Sequence, residues 1–222
     1  MGGTDPGGTG AQSLTGSARE PGPLPRLMLV TDQRATRGRD LVDVVEAAVA
    51  GGVGLVQLRE RDLPEAETAA LLRRLIERLR GTPARLLVNG HPALARAFGV
   101  GLHLPAAAPP VADHPALYGR AVHDEAEARR AIAEEVSYVV VGPVFTTGSK
   151  PGHLGIGLDA LASLAAIVHP VPVFAIGGLT PERAGPILGA DAHGVAVRSA
   201  ILAAEDPMRA SRAFADVLPS EV

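Results

Sequence analysis

The feature that most constrains this chain is a repeated alternation. Short apolar runs end in Gly, Asn, His or Arg, and most are followed by stretches of helical periodicity. The runs include GLVQLRER at 54–61, LLVNGH at 86–91, GLHLP at 101–105, GRAVH at 119–123, YVVVGP at 138–143, VFAIGG at 173–178 and HGVAVRS at 193–199. Strands are expected at about 26–31, 54–59, 85–88, 101–104, 117–122, 137–142, 172–176 and 193–197. Helices are expected at about 40–50, 64–80, 92–98, 125–134, 158–168, 181–188 and 207–218, with Pro64, Pro92, Pro181 and Pro207 where a first turn tolerates a missing N–H. Between Pro105 and Pro115 the run Ala-Ala-Ala-Pro-Pro sustains no regular helix. Parallel strands need long crossovers, and eight of them close without leaving an edge. The pattern therefore points to a single (β/α)8 TIM barrel over residues 25–222. The rival is an open doubly wound sheet, and no Gly-x-Gly-x-x-Gly follows any of the strands.

Composition narrows the class. The 222 residues are 46% hydrophobic, enough for one sizeable core, and residues 1–24 form a Gly/Pro-rich tail too poor in apolar side chains to fold. The formal charge of −3 leaves no basic footprint for nucleic acid, and 3% aromatics with no Trp supplies few base-stacking platforms. With no cysteine there is neither a disulfide nor a thiolate metal site, and the apolar runs are of strand length rather than membrane-spanning length. A cytoplasmic enzyme with a small-molecule partner is expected, with no membrane or nucleic-acid partner. A homo-oligomer is compatible with this composition.

Strand parity selects the site. Alternation places Gln57, Arg59 and Arg61 on one face, with Val56 and Leu58 against the helices. A barrel interior is normally filled by branched apolar residues, so Gln57 and Arg59 there would be costly without polar partners. The same parity aligns Gly119, Ala121 and His123, leaving His123 at a strand tip as the candidate titrating group. The loop VFTTGSK offers Thr147, Lys150 and backbone N–H groups to an anion. Gly177-Gly178 and Arg198-Ser199, after the last two strands, are where such barrels grip phosphate.

QLRER, LVNG, VVVGPVFTTGSK, AIGG and GVAVRSAI, in this order from about Leu27 to Pro207, resemble the thiamine phosphate synthase superfamily of (β/α)8 barrels. The resemblance implies ligands of thiamine biosynthesis: a methylthiazole carrying an ethyl phosphate and, in the synthase, a hydroxymethylpyrimidine diphosphate with Mg²⁺. Three departures stand out. The synthase has Asn-Asp after strand three where this chain has Asn89-Gly90, an acid after strand four where it has Pro105-Ala106-Ala107, and a serine on strand five that matches Ala121. Both magnesium carboxylates are missing. The Asn-Gly, Leu-Pro and Gly-Arg-x-Val-His sequences look instead like the TenI branch, which contains thiazole tautomerases that aromatise a carboxylated thiazole phosphate tautomer without metal or cofactor.

That resemblance implies an isomerase in which His123 is the acid and base. Arg59 would lie near the substrate carboxylate, with Gly177, Gly178 and Ser199 around the phosphate. Gln57, Arg61, Asn89, Thr147, Lys150 and Arg198 complete the expected substrate contacts. The alternative is a synthase with magnesium held by phosphates, water and a displaced acid such as Asp32 or Asp62. A third reading is a non-catalytic thiazole-phosphate-binding or regulatory protein.

Overall fold

The computed structural model describes residues 23–146 and 154–219, so the expected tail lies almost wholly outside the described residues. Eight parallel strands form one closed barrel: β1 (Leu27–Val30), β2 (Leu55–Leu58), β3 (Arg85–Asn89), β4 (Gly101–Leu104), β5 (Tyr118–Val122), β6 (Tyr138–Val141), β7 (Val173–Ile176) and β8 (Gly194–Val197). Closure is made by β8 on β1, with Leu29 opposite Val197. Around the barrel run α1 (Leu41–Ala50), α2 (Glu65–Arg78), α3 (Pro92–Phe98), α4 (Glu125–Ala133), α5 (Gly157–Val168), α6 (Ala184–Leu188), α7 (Ser199–Leu202) and α8 (Pro207–Ala215). This is the expected (β/α)8 barrel.

The differences from expectation are local. No helix joins β4 to β5, as the Pro-Pro pair dictates. The helix expected at 181–188 divides into a 3-10 turn, Pro181–Arg183, and α6. The 3-10 turn Gln33–Thr36 and α7 were not anticipated, since elements this short carry no periodicity to read. No helix among the described residues is long and apolar enough to cross a membrane.

Side-chain alternation divides the core into two layers. Met28, Val30, Leu55, Leu87, Tyr138, Val140, Phe174 and Ala196 pack inside the barrel. Val56, Leu58, Val88, Leu102, Val139 and Val141 face outward into the apolar layer beneath the helices. The interior must hold large rings in a narrow space, and small residues opposite them make room. A Cβ on Gly119 would lie 2.0 Å from Tyr138 Cζ, so only glycine fits across from that ring. A column of rings follows, His103 to Tyr138 (5.7 Å between centroids), Tyr138 to Phe174 (5.6 Å) and Phe174 to His193 (5.4 Å). His193 Nε2 ends the column 2.8 Å from the Leu24 carbonyl oxygen. The amino-terminal end of the barrel is thereby plugged, and the carboxyl end is left for a site.

Candidate functional site

A cavity of about 780 Å³ opens at the carboxyl ends of the strands. Its lining includes Gln57, Arg59, Arg61, Asn89, His123, Gly177, Gly178, Arg198 and Ser199, so the positions expected from parity and from the glycine pairs converge on one mouth. Thr147 and Lys150 lie outside the described residues.

On the floor, the β2, β3 and β4 register sets Gln57 beside β3 and Asn89 opposite His103. Gln57 is buried, and its Oε1 accepts a hydrogen bond from Asn89 Nδ2 at 3.0 Å. The polar partner that a buried amide requires is therefore supplied by the next strand.

Arg59 continues the inward face of β2 into the mouth. Among the described residues its guanidinium has neither a hydrogen bond nor an ion pair. Burial pushes its pKa down to about 10, repulsion from Arg61 and Arg198 adds to this, and Asp32 and Glu60 pull the other way. It remains charged at neutral pH. Arg198 Nη1 lies 3.2 Å from Asp32 Oδ2, while Arg34 Nε lies 3.2 Å from Asp32 Oδ1. Burial tends to raise the Asp32 carboxyl, but the Arg34 hydrogen bond and the charges of Arg34 and Arg198 outweigh it and hold it below its ordinary value.

His123 sits at the rim with 47% of its side chain exposed. Its Nδ1 is 3.0 Å from Glu127 Oε2, and the same oxygen accepts the His123 backbone N–H at 2.7 Å. The first turn of α4 thus tethers it. Sequence reasoning missed a second histidine in the cavity wall, His103, which is 3% exposed on the inward face of β4. Its Nδ1 is 3.0 Å from Tyr138 Oη. Burial, with smaller contributions from Arg59 and Arg120, pushes its pKa down to about 3, so the ring is neutral. Burial also raises the Tyr138 phenol, which keeps its proton and serves as the donor to Nδ1. The parity that found Gln57 would have found His103, two residues after the inward Gly101.

Arg183 was also missed. It enters the mouth from the 3-10 turn after β7, donates from Nη1 to the Gly178 carbonyl oxygen and stacks 4.5 Å from the Phe145 ring centroid. Gly177 and Gly178 have φ of +105° and +64°. A Cβ on Gly177 would lie 2.6 Å from Pro143 Cβ, and one on Gly178 would lie 2.5 Å from the Thr146 carbonyl oxygen. The expected close approach of backbone at this pair is therefore first an approach of the loop after β6, fastened by Val144 N–H to Ile176 O (2.8 Å) and Phe145 N–H to Gly177 O (3.2 Å).

The outward face of β5 holds the opposite kind of arginine. Arg120 is fully buried; its Nε donates to Glu134 Oε2 at 2.8 Å, and its Nη1 reaches the carbonyl oxygens of Pro105, Ala106 and Ala108 at 3.2, 3.1 and 2.9 Å. Tyr118 Oη donates to the same carboxylate oxygen at 2.6 Å. Pro105 and Ala106 line the cavity, so Arg120 fixes part of its wall from behind.

Magnesium, which the sequence resemblance brought with it, does not fit these residues. The described lining contains no Asp or Glu, and no group of three His, Asp or Glu among the described residues is arranged to hold a metal ion. The acids considered as displaced ligands are engaged elsewhere. Asp32 is held between Arg34 and Arg198, and Asp62 lies 2.7 Å from Arg34 Nη1. Glu60 accepts from Thr31 Oγ1 at 2.6 Å and from Gln33 N–H at 2.9 Å. A hard cation prefers several free carboxylate oxygens, and the mouth offers guanidinium groups instead.

Comparison with known proteins gives a consistent picture. The profile of the family described as thiamine monophosphate synthase matches residues 27–201. A thiamine-phosphate synthase of Mycolicibacterium gilvum is 41% identical over 215 residues, covering 89% of each chain. One from Mycobacterium sp. strain JLS is 39% identical over 211 residues, covering 87% of this chain and 92% of its own. Among solved structures, thiamine phosphate pyrophosphorylase from Pyrococcus furiosus superposes with a TM-score of 0.77 at 27% identity, covering 86% of this chain and 94% of the other. These relatives overturn the expectation of an isomerase, because chains 36–41% identical over most of their length carry the name of a transferase.

Proposed function

The chain belongs to the thiamine monophosphate synthase family, and from that premise we propose that it is a transferase joining a hydroxymethylpyrimidine, delivered as its diphosphate, to a thiazole phosphate. The observation that carries the reading is the convergence of the family's motif residues on one cavity, in a chain whose relatives are named for this synthesis. The thiazole nitrogen gives its lone pair to the exocyclic methylene carbon of the pyrimidine. The carbon–oxygen bond to the diphosphate breaks, and pyrophosphate leaves with that electron pair. Nothing is oxidised or reduced.

Among the described residues the mouth offers a metal no carboxylate ligands. The Asn89–Gln57 pair on the floor presents an oriented amide edge to a heterocycle. Arg59, Arg61 and Arg198 face the departing diphosphate, where positive charge fixed in advance stabilises negative charge as it develops. Gly177, Gly178 and Ser199, with Arg183, receive the thiazole phosphate on the opposite side. The bond being made requires no proton transfer, so His123 contributes to the rim and not to acid–base work. A cytoplasmic location accompanies this reading, given phosphorylated substrates and a chain without cysteine.

The test is to incubate the full chain with both substrates and follow thiamine phosphate by mass and pyrophosphate by phosphorus NMR, with each substrate omitted in turn. Equal amounts of both products, dependent on both substrates, are expected. Pyrimidine diphosphate recovered intact beside thiazole phosphate would contradict the proposal.

A further inference from the structure

The cavity lining is lopsided in charge. It includes the guanidinium groups of Arg59, Arg61, Arg183 and Arg198 and, among the described residues, no carboxylate. Among the described residues, Arg198 alone of the four arginines is ion-paired, at 3.2 Å to an Asp32 carboxylate that it shares with Arg34. Arg183 donates to the Gly178 carbonyl oxygen and interacts with the neighbouring Glu182 carboxylate. Arg59 and Arg61 have no ion pair among the described residues. They are close enough to each other and to Arg198 that their repulsion, together with burial, disfavours the charged state of Arg59. A folded chain gains nothing by gathering like charges in a half-enclosed space unless an anion completes the site.

A magnesium-dependent diphosphate site has the reverse composition, since carboxylates hold the cation and the cation bridges the phosphate oxygens. Here the carboxylates that could do so are consumed by Arg34, Arg198, Thr31 and the Gln33 N–H. We infer that this site takes a diphosphate as the free anion, its charge balanced by Arg59, Arg61 and Arg198 in place of a divalent cation. The inference rests on the transferase reading for the identity of the anion. Guanidinium forks suit the task because each can give two parallel hydrogen bonds to phosphate oxygens, which a point cation cannot. A magnesium–diphosphate complex would bring its own positive charge into a wall of positive charge and is the poorer ligand.

The experiment titrates inorganic pyrophosphate into the full chain by calorimetry, once in EDTA and once in millimolar Mg²⁺. Binding in EDTA is expected, with apparent affinity unchanged or weakened by Mg²⁺ as the metal sequesters the free anion. Arg59→Met should lower affinity in EDTA by about tenfold or more, and Arg59→Lys should recover part of it. Arg61→Met, at an exposed position, should show a smaller loss and guards against a folding artefact at Arg59. Binding that appears only with Mg²⁺, or that is indifferent to both arginines in folded variants, overturns the inference. The two proposals fail separately. Synthesis of thiamine phosphate together with strictly Mg²⁺-dependent pyrophosphate binding keeps the transferase and sinks the metal-free site. Pyrophosphate binding in EDTA without any synthesis supports the anion site and sinks the transferase.

Discussion

Arg59 and Arg120 sit on strands of the same barrel and have opposite surroundings. Arg120, on the outer side of β5, is fully buried and spends its donors on Glu134 and on three carbonyls of the 105–108 segment. Arg59, on the inner side at the end of β2, has no partner among the described residues and is crowded by Arg61 and Arg198. The difference teaches how to sort charge in a barrel of this kind. A charge with internal partners maintains the fold, and one held without them is kept for a ligand.

The largest effect should come from breaking the paired arginine. Arg120→Met leaves the Glu134 carboxylate without its counter-ion and frees three loop carbonyls, and it should cost about 3–5 kcal/mol in urea unfolding. Adding Glu134→Gln should return part of this, because the two losses are not additive. A cost below that of an ordinary surface substitution would remove Arg120 from the framework.

The next effect lies between the two regions, on the floor. Gly119→Ala would place a Cβ 2.0 Å from Tyr138 Cζ, a contact inside the ring's van der Waals surface. Destabilisation at the upper end of about 1–3 kcal/mol is expected from thermal melts. Because Tyr138 holds His103, the alanine should also perturb the His103 ring resonances in NMR. Unchanged stability would mean that the ring column yields easily.

His103 sharpens the comparison through pH. Its folded pKa, about 3, is below the ordinary 6.5, so between these values the unfolded chain binds the additional proton. Stability therefore rises with pH across that window and falls on acidification, by up to about 1.4 kcal/mol per pH unit from this one group. His103→Asn should flatten that part of the stability–pH curve. A variant with the parent's slope below pH 6 would show that other groups set it.

Much of this was legible in the sequence because it depends on local period. The eight strands, and the inward phase of Gln57, Arg59 and Arg61, follow from alternation alone. What was not legible depends on partners distant in the chain. The inward phase of β4 identifies His103, but its burial and neutrality come from Tyr138 two strands away. Arg120 was visible as the residue out of phase with Ala121. Its fate was set by Glu134 and by loop carbonyls 12 to 15 residues back. The roles of Gly177 and Gly178 were half legible: the close approach was expected of a ligand, and the loop after β6 makes it first. The absent acids at Gly90 and Ala106 were read correctly as residues and wrongly as a change of reaction. A lost metal ligand does not reveal what replaces its charge, and the arginines proposed to do so come from two strand ends far apart in the chain, those of β2 and β8.

The smallest expected change in stability carries the central claim. Arg59→Met removes a desolvated, unpaired charge and should move the unfolding free energy by less than about 1 kcal/mol in either direction, as is common where a residue serves binding rather than folding. The direct measurement is a pair of thermal melts, Arg59→Met beside Arg120→Met, each with and without pyrophosphate in EDTA. The account predicts that Arg59→Met melts near the parent and loses the stabilisation by pyrophosphate, while Arg120→Met melts far below the parent. An Arg59→Met protein that melts as low as Arg120→Met, or that is still raised by pyrophosphate as the parent is, would contradict it.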